Sequence, residues 1–445
     1  MTVPTQVRPI RGIHELARAA LVALPRGTRV ALHRQMVDCS ATPDARLHLG
    51  IATSQDDLEA CFSLLHDAYV SSGFMRSHPS GLRVTPYHAL PTTTTLFARY
   101  DNQIVGTLSI IREGLFGFPM QSAFDLTVVR AQSGRIAEIS ALAVHPQFRS
   151  TGGSILFPLM KFMYEYCTKY FDTRHLVIAV NPKHIEMYES LLLFQRLQAQ
   201  VVASYDFVNG APAVGATLDL LSAPGAYQAA YQGRRPQRNL HHYFTQVALP
   251  NVHFPERPYY TTNDPVMSPG LLDYFFNRRV QVFEGLDERR VRLLHAIYPE
   301  DAYRAVLPPH KTVSRQSPRL RRYRRYSLKC PARLTMAADG GPQVSLEVID
   351  ASMHGFLARA DAQLPSRARA KVHIRLGVDR TTTEDAVVVR NVDAAGGPYY
   401  GFDIASPSRS WRQCIADLEA RHAPPEAAAP VPDYAVSPDW HSQIV

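Results

Sequence analysis

The chain has 445 residues, 46% of them hydrophobic, and a formal net charge of +9, which is room for about three units of ordinary domain size. No stretch approaches the ~18 unbroken apolar residues of a membrane-spanning helix, and the Arg-bearing start, Met1 to Gln35, lacks an apolar core followed by a small-residue cleavage site, so neither a span nor a secretion signal is expected. The cysteines are scattered, odd in number and form no C-x-x-C pair, which argues against a zinc site or a disulfide framework and for a reducing cytoplasm.

Taken in chain order, residues 1–46 read as a flexible basic arm whose one amphipathic stretch, Ile13 to Leu24, is ended by Pro25-Arg26-Gly27. From Leu47 strands and helices alternate. Leu47–Ala52 reads as a strand and Asp56–Tyr69 as a helix capped by Ser54. Thr94–Arg99 and Ile104–Ile111 form a hairpin across Asp101-Asn102. Strand Ile136–Val144, helix Ile155–Phe171, strand His175–Val180 and a short helix around His184–Leu191 follow, then strands near Val201–Phe207 and Val214–Leu221. The pattern predicts an α/β domain over residues 47–221, a mixed sheet with flanking helices. Residues 222–310, richer in Pro, Tyr and Arg, read as its helical extension, with helices over Ser268–Phe276 and Asp287–Ala296. Residues 311–320 form a linker. Residues 321–421 then read as an all-β barrel: about six short apolar runs parted by turns such as Asp339-Gly340-Gly341, closed by helix Ser408–Ala420. The Pro/Ala-rich tail, 422–445, reads as disordered.

The charge is unevenly spread. Residues 311–421 hold 19 Lys/Arg against 11 Asp/Glu, residues 1–50 hold 7 against 3, and the middle of the chain is neutral. A basic excess suits nucleic acid, an anionic surface, a phosphorylated ligand or a merely solvated face, and the arrangement decides between them. Here the arginines are organised. Arg321-Arg322-Tyr323-Arg324-Arg325 stands directly before the first barrel strand, and 25 residues past Arg325 comes Asp350-Ala351-Ser352-Met353-His354-Gly355. These segments resemble the two-part signature of the PilZ family, R-x-x-x-R and D/N-x-S-x-x-G, in order and separation, over about a hundred residues. The resemblance implies a cyclic di-GMP receptor, with Arg321, Arg325, Asp350, Ser352 and Gly355 as binding residues and Arg322 assisting. The chemistry agrees: guanidinium forks take phosphates and guanine N7/O6 bidentately, and a glycine permits close backbone approach. A general RNA-binding role is the poorer reading, because no aromatic platform is evident beside the arginines.

In the middle domain, Arg149-Ser150-Thr151-Gly152-Gly153-Ser154 lies between a strand and a long helix, where small residues expose backbone amides at a helix N-terminus. It resembles the Q/R-x-x-G-x-G/A loop of the GNAT N-acyltransferases, with Ser154 in place of the last small residue. The resemblance implies that Arg149, Gly152, Gly153 and Ser154 hold the phosphopantetheine arm of an acyl donor. Further segments come in order: His66-Asp67-Ala68-Tyr69-Val70, Leu90-Pro91-Thr92-Thr93-Thr94, Gly106-Thr107-Leu108-Ser109 and Ala137-Glu138-Ile139-Ser140. Together they resemble the N-acyl amino acid synthases over roughly residues 47–300. This implies transfer of a long-chain acyl group from acyl carrier protein to the amine of an amino acid. Glu138 is the candidate general base and Tyr188 the candidate proton donor to the departing thiolate, with backbone donors near Ala141–Val144 polarising the carbonyl. The related homoserine lactone synthases carry an Arg where this chain has Ala141, which argues against a lactone product. His241-His242 has no carboxylate at metal spacing, and no G-x-S-x-G elbow occurs, so neither a metal centre nor a hydrolase is expected. The expected partners are therefore cyclic di-GMP, acyl carrier protein and a small amine, with no nucleic acid and no metal. The rival reading is a non-catalytic cyclic di-GMP adaptor whose acyltransferase-like domain is a docking surface.

Overall fold

The computed structural model describes residues 24–149, 151–264, 266–309, 323–336, 343–394 and 397–422. The expected linker, nearly all of the expected tail, most of the Ile13–Leu24 stretch, Ser150, Arg321 and Arg322 lie outside the described residues.

Pro25 directly precedes a helix, α1 (Arg26–Gln35). At a helix start the amide that proline lacks has no intrahelical partner to lose, so the residue that breaks a helix interior is tolerated there. The strands β1 (Leu47–Ile51), β2 (Thr93–Tyr100), β3 (Gln103–Arg112), β4 (Arg135–Val144), β5 (Thr173–Val180), β6 (Gln195–Arg196), β7 (Val202–Tyr205) and β8 (Ala211–Asp219) form one mixed sheet. Its order is β1-β2-β3-β4-β5-β8-β6, with β7 also on β8. Asp101 and Asn102, which turn β2 into β3, both take positive φ, 46° and 65°, as a two-residue hairpin of right-handed twist demands.

Helix α2 (Gln55–Ser71) covers one face of the sheet, and its N-cap Ser54 accepts the Asp57 amide at 3.2 Å. Helix α3 (Leu156–Lys169) covers the other, and α4 (Pro182–Leu191) follows β5. The segment read as a helical extension straddles both faces. Its helices α5 (Ala223–Tyr231) and α6 (Leu240–Thr245) bury Tyr227, Tyr243 and Phe244 in the same core as Phe162 of α3. Residues 267–307 bury Leu272, Phe275 and Phe276 in the core of α2, joined there by Leu294 of α7 (Glu288–Ile297). Over the expected helix Ser268–Phe276, an α-turn at Pro269–Leu272 widens into a π-helix over Asp273–Arg279.

Between these two parts the chain crosses from the sheet to the carboxy-terminal barrel as an extended strap. Leu49 on edge strand β1 donates its amide to Asn251 and accepts from His253, each at 2.9 Å. Further along, Tyr260 accepts from Lys329 at 2.8 Å and donates to Leu376 at 2.9 Å. Tyr259 is buried in the barrel core and its hydroxyl donates to Asp417 at 2.6 Å. Asp264 accepts from Thr94 at 2.6 Å and from Tyr166 at 3.0 Å, and is paired with Arg257. The strap is thus tied at both ends.

The barrel strands are β9 (Tyr326–Met336), β10 (Val344–Ser352), β11 (Gly355–Ala360), β12 (Arg369–Arg375), β13 (Thr381–Ala394) and β14 (Gly397–Asp403), closed in the order β10-β11-β14-β13-β12-β9. Strict alternation of buried and exposed residues along β12 gives every second side chain to the interior, and closure removes the edges that an open sheet exposes. Helix α8 (Arg409–His422) adds Trp411, Cys414, Ile415 and Leu418 to that core. Ser408 caps it, accepting the Trp411 amide at 3.1 Å while its own amide donates to buried Glu384 at 3.0 Å. No helix among the described residues is long and apolar enough to cross a membrane.

Candidate active site and nucleotide site

On the barrel, the end of β10 pairs with the start of β9, Asp350 opposite Ser327. That register carries the two distant motif halves together: the Arg325 Nη1 donates to both Asp350 oxygens, at 2.8 and 3.1 Å. Ser352 is buried and donates to the Gly355 carbonyl at 3.1 Å, closing the β10–β11 turn. Gly355 is needed by the fold itself, because a Cβ there would run into the Phe402 carbonyl on β14. Tyr323 lies against His354 with ring centroids 4.7 Å apart, an aromatic pair beside the arginines that the sequence reading did not find; only the strand register reveals it. Arg324 faces away from this group and pairs with Glu300, just past α7.

In the other half, β4 and β5 are the parallel neighbours of the sheet, and they pair only from Arg135/Thr173 to Glu138/Val177. Beyond that point the strands part, and a cavity of about 960 Å³ opens between them. β4 is also bulged there: Ser109 faces Ser140 and Thr107 faces Ala143, so Ala141 and Leu142 share Leu108 as partner. Ala141 has a φ of 54°, a left-handed conformation costing an alanine roughly 1–2 kcal/mol. A bulge leaves one residue outside the ladder, so backbone amides stand unladdered along the cavity wall.

Glu138, at the fork, is 2% exposed. It is the one carboxylate among the described lining residues. Its Oε2 accepts the Met120 amide at 3.0 Å, and burial, only partly offset by that bond, raises its pKa from 4.5 to about 8. No described Lys or Arg pairs with it, so the structural ion pair that would explain a buried Glu is not what holds it. Tyr188 on α4 lines the same cavity and packs edge-on against Phe194 at 5.9 Å. Burial raises its phenol to about 12.

Arg149, Gly152 and Gly153 line the cavity, whereas Ser154 is not part of its wall and has its hydroxyl 2.6 Å from that of Thr151. Gly152 and Gly153 take φ of 65° and 93°, and a Cβ on Gly153 would strike the Phe157 ring. The loop feeds directly into α3, the Phe157 amide reaching back to the Gly153 carbonyl at 2.9 Å. Arg149 holds the loop to β4 through a 2.8 Å bond from Nε to the Val144 carbonyl.

Residues 60–219 match the family model of the N-acyl amino acid synthase FeeM. The FeeM-matched stretch contains Glu138, Tyr188 and the glycine loop, and ends where β8 ends. Among solved structures, FeeM from uncultured soil microbes is 24% identical, with 42% of this chain aligned to 97% of that one at a TM-score of 0.36. BjaI, a CoA-dependent acyl-homoserine lactone synthase, is 19% identical over 47% of this chain and 95% of its own, at 0.35. YcgR from Escherichia coli, in complex with cyclic di-GMP, is 23% identical over 23% of this chain and 45% of its own, at 0.21. No curated protein matches the chain.

The cavity wall also includes residues outside the FeeM-matched stretch. His33 and Met36 come from α1 and the turn after it. The helix is fixed to α4 by Ser190, whose hydroxyl is 2.8 Å from His33 Nδ1 and whose carbonyl accepts from Arg34 at 3.0 Å. A segment read as a free arm therefore helps shape the site. Tyr69, Phe74, Tyr205 and Phe207 give the wall an aromatic part.

Proposed function

We propose that the chain is an N-acyltransferase that moves a long-chain acyl group from acyl carrier protein to the amine of an amino acid, under the control of cyclic di-GMP bound on the barrel. The observation that carries the catalytic part is Glu138, an unpaired carboxylate at the fork of a large, mostly apolar cavity inside the FeeM-matched stretch. A base with a pKa of about 8 is matched to deprotonating an amine near neutral pH. The amine nitrogen attacks the thioester carbon, forming the C–N bond as its proton passes to Glu138. Backbone amides at the Ala141–Leu142 bulge stabilise the oxyanion. The C–S bond then breaks, and Tyr188, its proton retained by a pKa of about 12, donates to the leaving thiolate. Gly152 and Gly153, with Arg149, hold the single phosphate of the pantetheine arm at the start of α3.

Control rests on the barrel. Arg325 and Asp350 bring both motif halves to one place, and Arg321 and Arg322 complete the phosphate-binding set. Arg324 of the same segment pairs with Glu300. Two residues before Glu300, the Tyr298 hydroxyl donates to the Ala89 carbonyl, in the turn Pro86–Ala89, whose Tyr87 shares a core with Met120, the residue that donates its amide to Glu138. Reordering of the arginine segment by a ligand thereby reaches the surroundings of the base.

The test is twofold. Calorimetric titration of cyclic di-GMP should give micromolar or tighter binding, weakened at least 100-fold by Arg325→Ala, the scale expected when a charge-assisted phosphate contact is lost and its partner Asp350 is left facing the ligand. Mass spectrometry of products from acyl carrier protein donors and pooled amino acids should show N-acyl products whose rate changes with the nucleotide. Binding without any product would leave the adaptor reading standing instead.

A further inference from the structure

Two segments outside the FeeM-matched stretch, one before it and one after, come together in the fold, and neither carries an acid. One is helix α1 and the other is the run from Leu220 to Pro255 that follows β8. They hold Arg26, Arg29, Arg34, Arg234, Arg235 and Arg238 and no Asp or Glu. Just past α1 the Cys39 amide donates to the Gln237 carbonyl at 2.8 Å, and Arg34 itself reaches the Ala230 carbonyl at 3.2 Å. Arg34 and Arg234 lie near one ring, that of Tyr231, at 5.4 and 5.8 Å. Arg235 and Arg238 stand exposed at the two ends of the short turn that Cys39 holds. Arg29 is paired with Glu186, but no described carboxylate pairs with the other five. Asp38, exposed on the turn after α1, is the one acid of the connection. A surface of one sign repels itself and concentrates partners of the opposite sign.

The place of this face says which partner. The glycine loop stands beside the turn after α1: a Cβ on Gly152 would lie 3.7 Å from that of Asp38. Met36 of that turn, Arg149 and Gly152 all belong to the cavity wall and are all exposed, Met36 to 72%. The cavity therefore reaches solvent here. In the prosthetic arm of a carrier protein the phosphate is bonded to pantetheine on one side and to a serine of the carrier on the other. With that phosphate at Gly152 and Gly153, the serine lies just outside the loop, and the protein surface around the loop meets the carrier. That surface is the turn after α1 and the arginines tied to it. Carrier proteins are acidic, so the charges match, and an exposed methionine among them supplies an adaptable apolar contact. A membrane or a nucleic acid would have no need of a cavity beside its basic face.

We propose that α1 and the Arg234–Arg238 turn form the docking face for an acidic acyl carrier protein, so that the site favours a thioester delivered on a protein over the same thioester on a free arm. This rests on the N-acyltransferase reading above and deepens it by naming the surface that recognises the donor.

The experiment compares the full-length chain with Arg235→Glu/Arg238→Glu, a charge reversal at two exposed positions, and with Arg235→Lys/Arg238→Lys, which keeps the charge. Binding of acyl carrier protein bearing its unacylated arm is followed by calorimetry. Separately, kcat and KM are measured with a long-chain acyl carrier protein and with the same acyl chain on free 4′-phosphopantetheine. Wild type should bind the carrier, and the glutamate pair should weaken that binding and raise KM for the carrier donor by about 10- to 100-fold. Rates on the free arm should stay within about threefold, and the lysine pair should remain near wild type on both donors. Between about 0.05 and 0.5 M salt, wild-type kcat/KM should fall steeply for the carrier donor and little for the free arm. A glutamate pair that binds the carrier as wild type does would overturn the assignment. So would equal losses on both donors, the mark of a damaged cavity. Carrier binding without product from either donor would keep the docking face and sink the acyltransferase reading. Product from both donors at equal kcat/KM, with no carrier binding, would do the reverse. If wild type ignores the carrier yet sediments with phosphatidylserine vesicles through these arginines, the face belongs to a membrane surface and the assignment fails. With neither carrier binding nor product, the assignment and the reading beneath it fall together.

Discussion

The two candidate sites handle a carboxylate in opposite ways. Glu138 is buried at the fork of the sheet with no cation beside it, and its proton is held to about pH 8. Asp350 sits at the barrel surface in the grip of Arg325, the two side chains 24% and 35% exposed. Burial without a partner makes a group reactive, because its charged form is destabilised and it takes up a proton readily. Exposure with a partner makes a group exchangeable. A solvent-exposed ion pair is worth ~0–1 kcal/mol, so a ligand with two phosphates can displace it at little cost. One arrangement suits chemistry, the other reversible binding.

The contrast is tested most severely at the buried end. Glu138→Gln should lower kcat by roughly 10²- to 10⁴-fold, the usual worth of a positioned base, while raising stability in alkali. The sign comes from proton uptake. Between the unfolded value near 4.5 and the folded value of about 8, the native state binds more protons than the unfolded one, so unfolding free energy falls as pH rises through that window. Glutamine cannot ionise and escapes the loss, which is on the order of a few kcal/mol by pH 9. Thermal melts of both proteins at pH 5 and pH 9 read it directly: near parity at the first, the variant higher at the second. The wild-type kcat/KM should climb with pH up to about 8. A variant that is inactive and also less stable at pH 9 would mean that Glu138 is a structural group.

A smaller effect lies between the sites. Glu300 touches neither cavity nor nucleotide segment except through Arg324. Glu300→Gln should therefore leave cyclic di-GMP affinity within about threefold. The change in kcat/KM that the nucleotide causes should shrink to under about twofold from the 5- to 150-fold typical of coupled sites. An undiminished response would show that the signal travels by another route, such as the strap through Tyr259 and Asp417.

Much of this was legible in the residues, and the failures share a cause. The β2–β3 hairpin, the Ser54 cap and the alternation along β12 are local patterns, each fixed by a few neighbouring side chains. The PilZ-like motif halves could be matched in sequence, yet only the β9–β10 register shows that Arg325 and Asp350 meet. The strap could not be read, because Asn251–Thr262 has no helical or strand period of its own and is ordered by partners some 200 residues away in one direction and nearly 70 in the other. Pro25 was read only as a stop, yet it also opens α1, because a proline can stand just past the end of one helix or at the start of the next.

Tyr188 should show the smallest effect, and the reason separates its role from that of Glu138. A thiol loses its proton near 8.5, so a thiolate leaves tolerably well without protonation, and Tyr188→Phe should lower kcat by only about tenfold with KM unchanged. The phenol, held at about 12, keeps its proton over the whole accessible range, so no alkaline fall in rate should belong to it and none should vanish in the variant. The rise in kcat/KM toward pH 8 should remain where it was, since that limb is set by Glu138. If the limb moved in Tyr188→Phe, the tyrosine would be acting through the base and not on the leaving group. The two groups that line this cavity would then have to be treated as one coupled unit, with the apparent pKa belonging to the pair.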